Sequence, residues 1–318
     1  MNTRQLNGPP RWRIHLLMLL TATLVSTSFT VGKAIADGMD PTVLTLIRFS
    51  CATLLFLPYV QKKYRITRPN PVTFLRYSVI SLALVGFFIL MFAALQYTTA
   101  LNTGVIFTLV PGISGLYSMI LLSERLGRNR LLALVLAMIG AIWVLFHGNP
   151  ANLMAMELNR GDLLFFCGCL LMALYTPLVK LFYRGEPMAV MTFWILATGC
   201  GWLLLMAAPK LMTTPWTAIR PMVWIGIWYL AVFCTIITFF LSQWSTLYLG
   251  PTRVMAYSYL YPPLILLIDW TLGHGLPPIR TLPGVFLIGL TMIIVQKEYS
   301  GNRACPKKEQ VKEMDVRR

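Results

Sequence analysis

The sequence predicts an all-α polytopic membrane protein whose ten transmembrane helices form two inverted five-helix repeats. Three observations predict it. Apolar residues make up 57% of the 318-residue chain and charged residues only 12%, where a soluble domain is about one-quarter charged. The apolar residues come in runs long enough to cross a bilayer. Landmarks also recur half a chain apart. Lys33 before Asp40-Pro41 is matched by Lys180 before Glu186-Pro187, and Tyr97 with Pro111 is matched by Tyr248 with Pro262 at the same internal spacing.

A helix needs about 20 apolar residues to cross the hydrocarbon. The first span, 14–32, carries the polar cluster Ser26, Thr27, Ser28 and Thr30. It begins beside Arg11 and Arg13, as a signal peptide does, but no small-residue cleavage site follows, so it reads as a retained helix. The second, 42–60, holds Arg48 early in its length, and the third is 73–95. The fourth, 101–122, has Pro111 near its middle with Gly104, Gly112 and Gly115 around it. The fifth, 131–147, closes the first repeat, 14–147.

The second repeat, 162–297, opens with a span at 162–181 that contains Cys167-x-Cys169. That spacing lacks a His or a second Cys pair, so the cysteines read as small apolar packing residues and no metal or cofactor is expected. The seventh span, 188–208, carries Trp194 and Trp202. The eighth, 222–246, carries Trp228 and Gln243. The ninth, 253–272, holds Tyr257 and Tyr261 on one face, Tyr259 about opposite, and Pro262-Pro263 near its middle. The tenth is 281–297, and residues 298–318 read as a disordered basic cytoplasmic tail. No connection is long enough for a soluble domain.

Charge sets the orientation. The net charge is +16 and the pI about 9.9. The basic residues lie in short loops and the tail, where topology and anionic headgroups place them, so nucleic acid is excluded as a partner and the lipid bilayer is expected as one. Of the 27 Lys and Arg residues, those outside the spans concentrate beside the termini and after even-numbered spans; only Lys33, Arg160, Lys210, Arg220 and Arg280 fall on the other side. The positive-inside rule then puts both termini in the cytoplasm. Five spans per repeat is an odd number, so the second repeat starts from the opposite face. The halves are then related by an axis in the membrane plane, the arrangement of many transporters that bind substrate between their halves.

Several motifs resemble the EamA-type pattern of the drug/metabolite transporter superfamily. They are Ile47-Arg48-Phe49, Phe92-Ala-Ala-Leu-Gln-Tyr97-Thr-Thr-Ala, Val110-Pro111 and Leu122-Ser-Glu124-Arg125-Leu126 in the first half, and Gln243-Trp244, Tyr248-Leu-Gly250 and Tyr261-Pro262 in the second. The resemblance covers roughly residues 14 to 297. It implies export or exchange of a small metabolite, such as an amino acid or related compound, by alternating access at a central cavity, in a cell inner membrane. The chain departs from the pattern at Ser26-Thr27-Ser28, where Trp-Gly is frequent, and at Gly273-His274-Gly275, opposite Ser123-Glu124-Arg125.

Arg48 is the sharpest candidate for substrate binding. A charge at its depth costs several kcal/mol unless paired or hydrated. Two roles fit: binding a substrate carboxylate or other anion through its planar donor fork, or fixing the fold by capping helix carbonyls or by pairing with Asp37 or Asp40. Ser28, Tyr257, Tyr261, Gln243 and Trp194 are the other candidate substrate contacts. Trp194 stands near the position that repeats Arg48. Pro111 and Pro262 are candidate hinges or kinks, because proline removes a backbone donor inside a helix. Lys33 and Lys180 sit near helix ends and can snorkel to the interface. The carboxylates Asp162, Asp269 and Glu124 and the histidines His15, His147 and His274 all lie near span ends. A facilitator or exchanger is therefore expected, or weak proton coupling through Asp269. A polytopic enzyme would need a nucleophile with its base, or a metal cluster, at membrane depth; no such motif occurs. A channel or scaffold remains the other alternative, without a selectivity-filter segment in view.

Overall fold

A computed structural model describes residues 10–64, 66, 68–123, 127–146, 148–151, 159–249, 251–273 and 278–301. Glu124, Arg125, His147, His274 and the tail beyond 301 lie outside the described residues, as do the side chains of Gln243, Tyr248 and Arg253. The described chain is helical throughout. Its helices are α1 (Arg11–Ile35), α2 (Pro41–Tyr64), α3 (Pro71–Leu95), α4 (Ala100–Phe107), α5 (Val110–Leu122), α6 (Arg128–Leu145), α7 (Arg160–Phe182), α8 (Met188–Thr213), α9 (Pro221–Ala231), α10 (Thr238–Leu249), α11 (Pro251–Ala256), α12 (Tyr261–Thr271) and α13 (Leu282–Gly301).

Seven helical segments among the described residues are long and apolar enough to cross a membrane: Trp12–Gly38, Pro41–Tyr64, Pro71–Leu95, Ala100–Leu122, Arg160–Phe182, Met188–Thr213 and Pro221–Ser242. The expected fifth and tenth spans correspond to shorter apolar stretches, Leu131–Leu145 and Ile279–Thr291. The expected ninth is divided between α11, the tight turn Tyr257–Leu260 and α12. Large apolar side chains such as Leu54, Ile120, Leu205 and Phe286 point outward, the surface a hydrocarbon solvent requires.

Local chemistry starts and stops these helices. Asn70 caps α3 by accepting from the Thr73 amide at 2.7 Å, with Pro71 in the first turn, where its missing N–H is harmless. Asp40 does the same for α2 through the Thr42 amide at 2.9 Å, and Thr99 for α4 through the Asn102 amide at 3.1 Å. Asn159 caps α7 at Gly161 (2.9 Å) and also donates to the Tyr97 carbonyl (2.7 Å). Lys33 does not simply snorkel outward. Its ammonium donates to the Leu95 carbonyl at 2.7 Å and so closes the C-terminal end of α3.

The packing has a reciprocal order. The units α1, α2, α3, α4–α5 and α6 of the first half correspond to α7, α8, α9–α10, α11–α12 and α13 of the second. α3 packs on α7, and α1 packs on α10. α5 packs on α7, and α1 packs on α12. The second units, α2 and α8, pack on each other, as do the fifth units, α6 and α13. Each of these contacts is thus accompanied by its counterpart under exchange of the halves. The α6–α13 contact is close enough to need glycine on both sides. A Cβ on Gly140 would sit 2.8 Å from the Gly284 carbonyl oxygen, and one on Gly284 would sit 2.8 Å from that of Gly140.

The main apolar core lies between the halves. Phe29, Phe49, Phe87, Phe88, Phe92, Phe107 and Phe165 are all buried in it. Edge-to-face contacts link several of them, such as Phe49 with Phe88 at 5.3 Å and Phe87 with Phe107 at 5.8 Å. Tyr259 falls in a separate cluster with Val105, Ala137 and Ile288.

Candidate substrate-binding cavity

The fourth and ninth units are both interrupted beside a proline. α4 ends at Phe107, where the Thr108 and Leu109 amides turn back tightly to Val105 and Ile106. α5 then restarts with Pro111 in its first turn. In the second half the tight turn Tyr257–Leu260 precedes α12, whose first turn holds Pro262. A proline amide cannot donate to the carbonyl four residues back, so the chain rewinds at both places.

A third interruption carries no proline. Residues Val232–Ile237, between α9 and α10, form a turn of π-helix. The Thr235 hydroxyl donates to the Leu230 carbonyl, five residues back, at 2.9 Å. The wider turn presents the Cys234 carbonyl sideways toward α2. Single π turns of this kind recur at functional sites.

Arg48 of α2 meets that turn. It is 1% exposed. Its Nε donates to Thr235 Oγ1 at 3.0 Å and its Nη2 to the Cys234 carbonyl at 3.3 Å. The guanidinium lies over Phe88, 4.5 Å from the ring centre, and 5.9 Å from that of Phe92. Its remaining nitrogen, Nη1, has no partner among the described residues. The expected pairing with Asp37 or Asp40 does not occur. Asp37 is exposed, and Asp40 is bound by Lys210 of α8 at 2.9 Å instead. The carbonyl-capping role is present at Cys234, yet it uses only part of the donor fork.

Arg48 lines a cavity of about 140 Å³ between the halves. Ser28 from α1, Phe87 and Phe88 from α3, Phe107 from the first break, and Tyr257, Ser258 and Tyr261 from the second share its wall. The structure thus brings together four of the six predicted contacts: Arg48, Ser28, Tyr257 and Tyr261. Gln243 lies on α10, with its side chain outside the described residues. Trp194 does not line this cavity; it packs edge-on against Phe193 at 5.5 Å, in a cluster with Phe56 and Val60. Its repeat relation to Arg48 fixes its place on α8, but α8 faces α2 there and not the cavity.

Beyond the cavity, His15 Nδ1 and the Tyr257 hydroxyl are 2.5 Å apart, which ties α1 to the second break. The buried Asp162 carboxylate accepts from Thr98 and from Asn102 (3.2 Å), which ties α7 to the start of α4. Asp269 accepts from Thr30 at 3.1 Å. Sequence reasoning missed Phe87, Phe88, Phe107, Ser258 and the π turn. The phenylalanines are uninformative in a chain this apolar, and the π turn has only its β-branched run Thr235-Ile-Ile-Thr238 as a signal.

The EamA-like transporter family model matches the chain twice, over residues 12–146 and 159–296. The chain belongs to this family, within the drug/metabolite transporter superfamily, and is a multi-pass membrane transporter. It is similar to the uncharacterized transporter YyaM of Bacillus subtilis, 22% identical over 282 residues that cover 86% of this chain and 91% of YyaM. It is also similar to an uncharacterized transporter of Archaeoglobus fulgidus, 24% identical over 251 residues (79% of this chain and 86% of the relative). A solved structure, described only as a crystal structure of protein, superposes with a TM-score of 0.63 at 18% identity, covering 93% of this chain and all of that one. That likeness concerns the fold.

Proposed function

We propose that this transporter exports or exchanges a small metabolite by alternating access, with ten transmembrane units in two inverted five-helix repeats and a substrate site in the cavity at Arg48. Both termini are cytoplasmic and the membrane is a cell inner membrane in this reading. The observation that carries it is the cavity between the halves, with a buried arginine whose Nη1 has no partner among the described residues. The reciprocal packing of the two halves and their matched proline breaks support the inverted repeat. In such an arrangement each half can take up the other's conformation, which opens the cavity first to one face and then to the other. Arg48, Ser28, Tyr257 and Tyr261 contact the substrate, and the breaks at Pro111 and Pro262 are the hinges. Transport needs no covalent chemistry, and the transporter relatives favour this reading over a membrane enzyme.

The test compares metabolites released by cells that overexpress the protein with those released by cells that lack it. Overexpression is expected to raise one small metabolite outside the cells. Identical release profiles across a broad metabolite range would contradict export.

A further inference from the structure

The chemistry of the cavity wall narrows the ligand, on the assumption that the cavity is the transport site. We propose that it takes a small organic monoanion, with the acidic group on Arg48 and the apolar body against the aromatic wall, in preference to a zwitterionic amino acid.

Two buried polar groups in this wall have no partner among the described residues: Arg48 Nη1 and Ser258 Oγ. Arg48 is 1% and Ser258 2% exposed, so a ligand reaches these atoms as the wall shifts to admit it. Native proteins rarely leave such groups unpaired, and a ligand is one of the standard partners. The guanidinium offers only donors, so its partner must be an acceptor. A carboxylate is the acceptor that also neutralises a cation with no carboxylate beside it. Three other hydroxyls of the wall are already engaged. Thr21, Ser28 and Thr238 donate to the carbonyls of Leu17, Val25 and Cys234 at 2.8, 2.6 and 3.0 Å.

The same wall is poorly suited to an ammonium group. No carboxylate is among its described residues. The Phe88 face that could hold a cation already carries Arg48 at 4.5 Å, and a second positive charge nearby would repel the first. A dianion would leave one charge uncompensated. Phe87, Phe107, Met91 and Met172 complete the wall and fit hydrocarbon. The volume, about 140 Å³, is close to the ~150 Å³ at which a protein cavity admits a benzene ring. The ligand is therefore a short-chain or single-ring acid.

The experiment titrates purified full-length protein in detergent at pH 7 with matched probes, read by calorimetry. Butyrate is compared with butyramide and 2-aminobutyrate, and benzoate with benzamide. At least one acid is expected to bind saturably and at least tenfold more tightly than its amide, and butyrate more tightly than 2-aminobutyrate. Arg48→Gln is expected to remove the preference for acid over amide. If that variant does not fold, the wild-type comparison decides alone. Equal binding of acid and amide in both pairs, or tighter binding of 2-aminobutyrate than of butyrate, overturns the anion assignment and leaves transport untouched. An acid that binds selectively but is not exchanged across proteoliposomes by the same protein overturns the transport reading and leaves the anion site standing.

Discussion

An arginine withdrawn from water needs several kcal/mol of compensation from its surroundings. Arg48 obtains part from Thr235, the Cys234 carbonyl and the Phe88 face, and its Nη1, with no partner among the described residues, leaves room for more. Substitution is therefore expected to affect binding and stability differently. Arg48→Ala should cost at least tenfold in apparent substrate affinity, about 1.4 kcal/mol. The melting temperature of the detergent-solubilised protein should change little, because a buried charge is removed along with its bonds. A folded variant that transports with unchanged affinity would contradict the assignment. Asp40 is a contrasting case at the surface. Partial burial pushes its carboxyl up, but the Lys210 ammonium and the Thr42 amide pull it down further, so it lies below its ordinary value of 3.8. A lowered carboxylate contributes stability that is complete above its ordinary value and is lost as pH falls through the lowered one. Asp40→Ala should thus cost about 1 kcal/mol at pH 7, mostly through the lost cap, because the ion pair is too exposed to contribute much. Thermal melts at pH 7 and pH 3 check this; the gap between wild type and variant should shrink at pH 3. The depth of Arg48 was legible from its place in the second span. Its partners were not, because the Cys234 carbonyl becomes available only through a π turn that no proline or glycine announces.

At the level of elements, the two proline breaks and the glycine contact do different work. Pro111→Ala would supply an amide able to donate to the Phe107 carbonyl and would straighten the fourth unit. The expected outcome is an unchanged or higher melting temperature with a transport rate several-fold lower. An unchanged rate would make the break a static kink. Gly140 serves packing. Any side chain there meets the Gly284 backbone, which cannot move aside as a flexible side chain can. Gly140→Val is expected to lower the melting temperature by several degrees, as overpacking costs about 1–3 kcal/mol. Gly289→Ala, with nothing within 4 Å of the added carbon, is the control that should leave it unchanged. The breaks were readable because proline is a local signal. The glycine contact was not, because it depends on which helix faces α6. The ends of the fifth and ninth units were also hard to read: polar and aromatic residues inside an apolar run do not say where a helix tightens into a turn.

For the whole molecule, repetition was the strongest sequence signal, and the reciprocal contacts of α1, α3, α7 and α10 match it. The half that each helix belongs to follows from the recurring landmarks. The position of the cavity follows only once the halves are docked, because its wall draws on α1, α2, α3, both proline breaks and the π turn together. That is why Trp194, near the position that repeats Arg48, was a reasonable candidate and lies elsewhere: a repeat carries over the backbone pattern, while the side chains of the two halves diverge. The central claim is that this cavity carries substrate through Arg48. Counterflow in proteoliposomes loaded with the metabolite released by overexpressing cells tests it most directly. Wild-type protein is expected to accumulate labelled metabolite against its gradient, and folded Arg48→Gln protein to lose at least nine-tenths of that uptake. Equal counterflow by the two proteins would contradict the account.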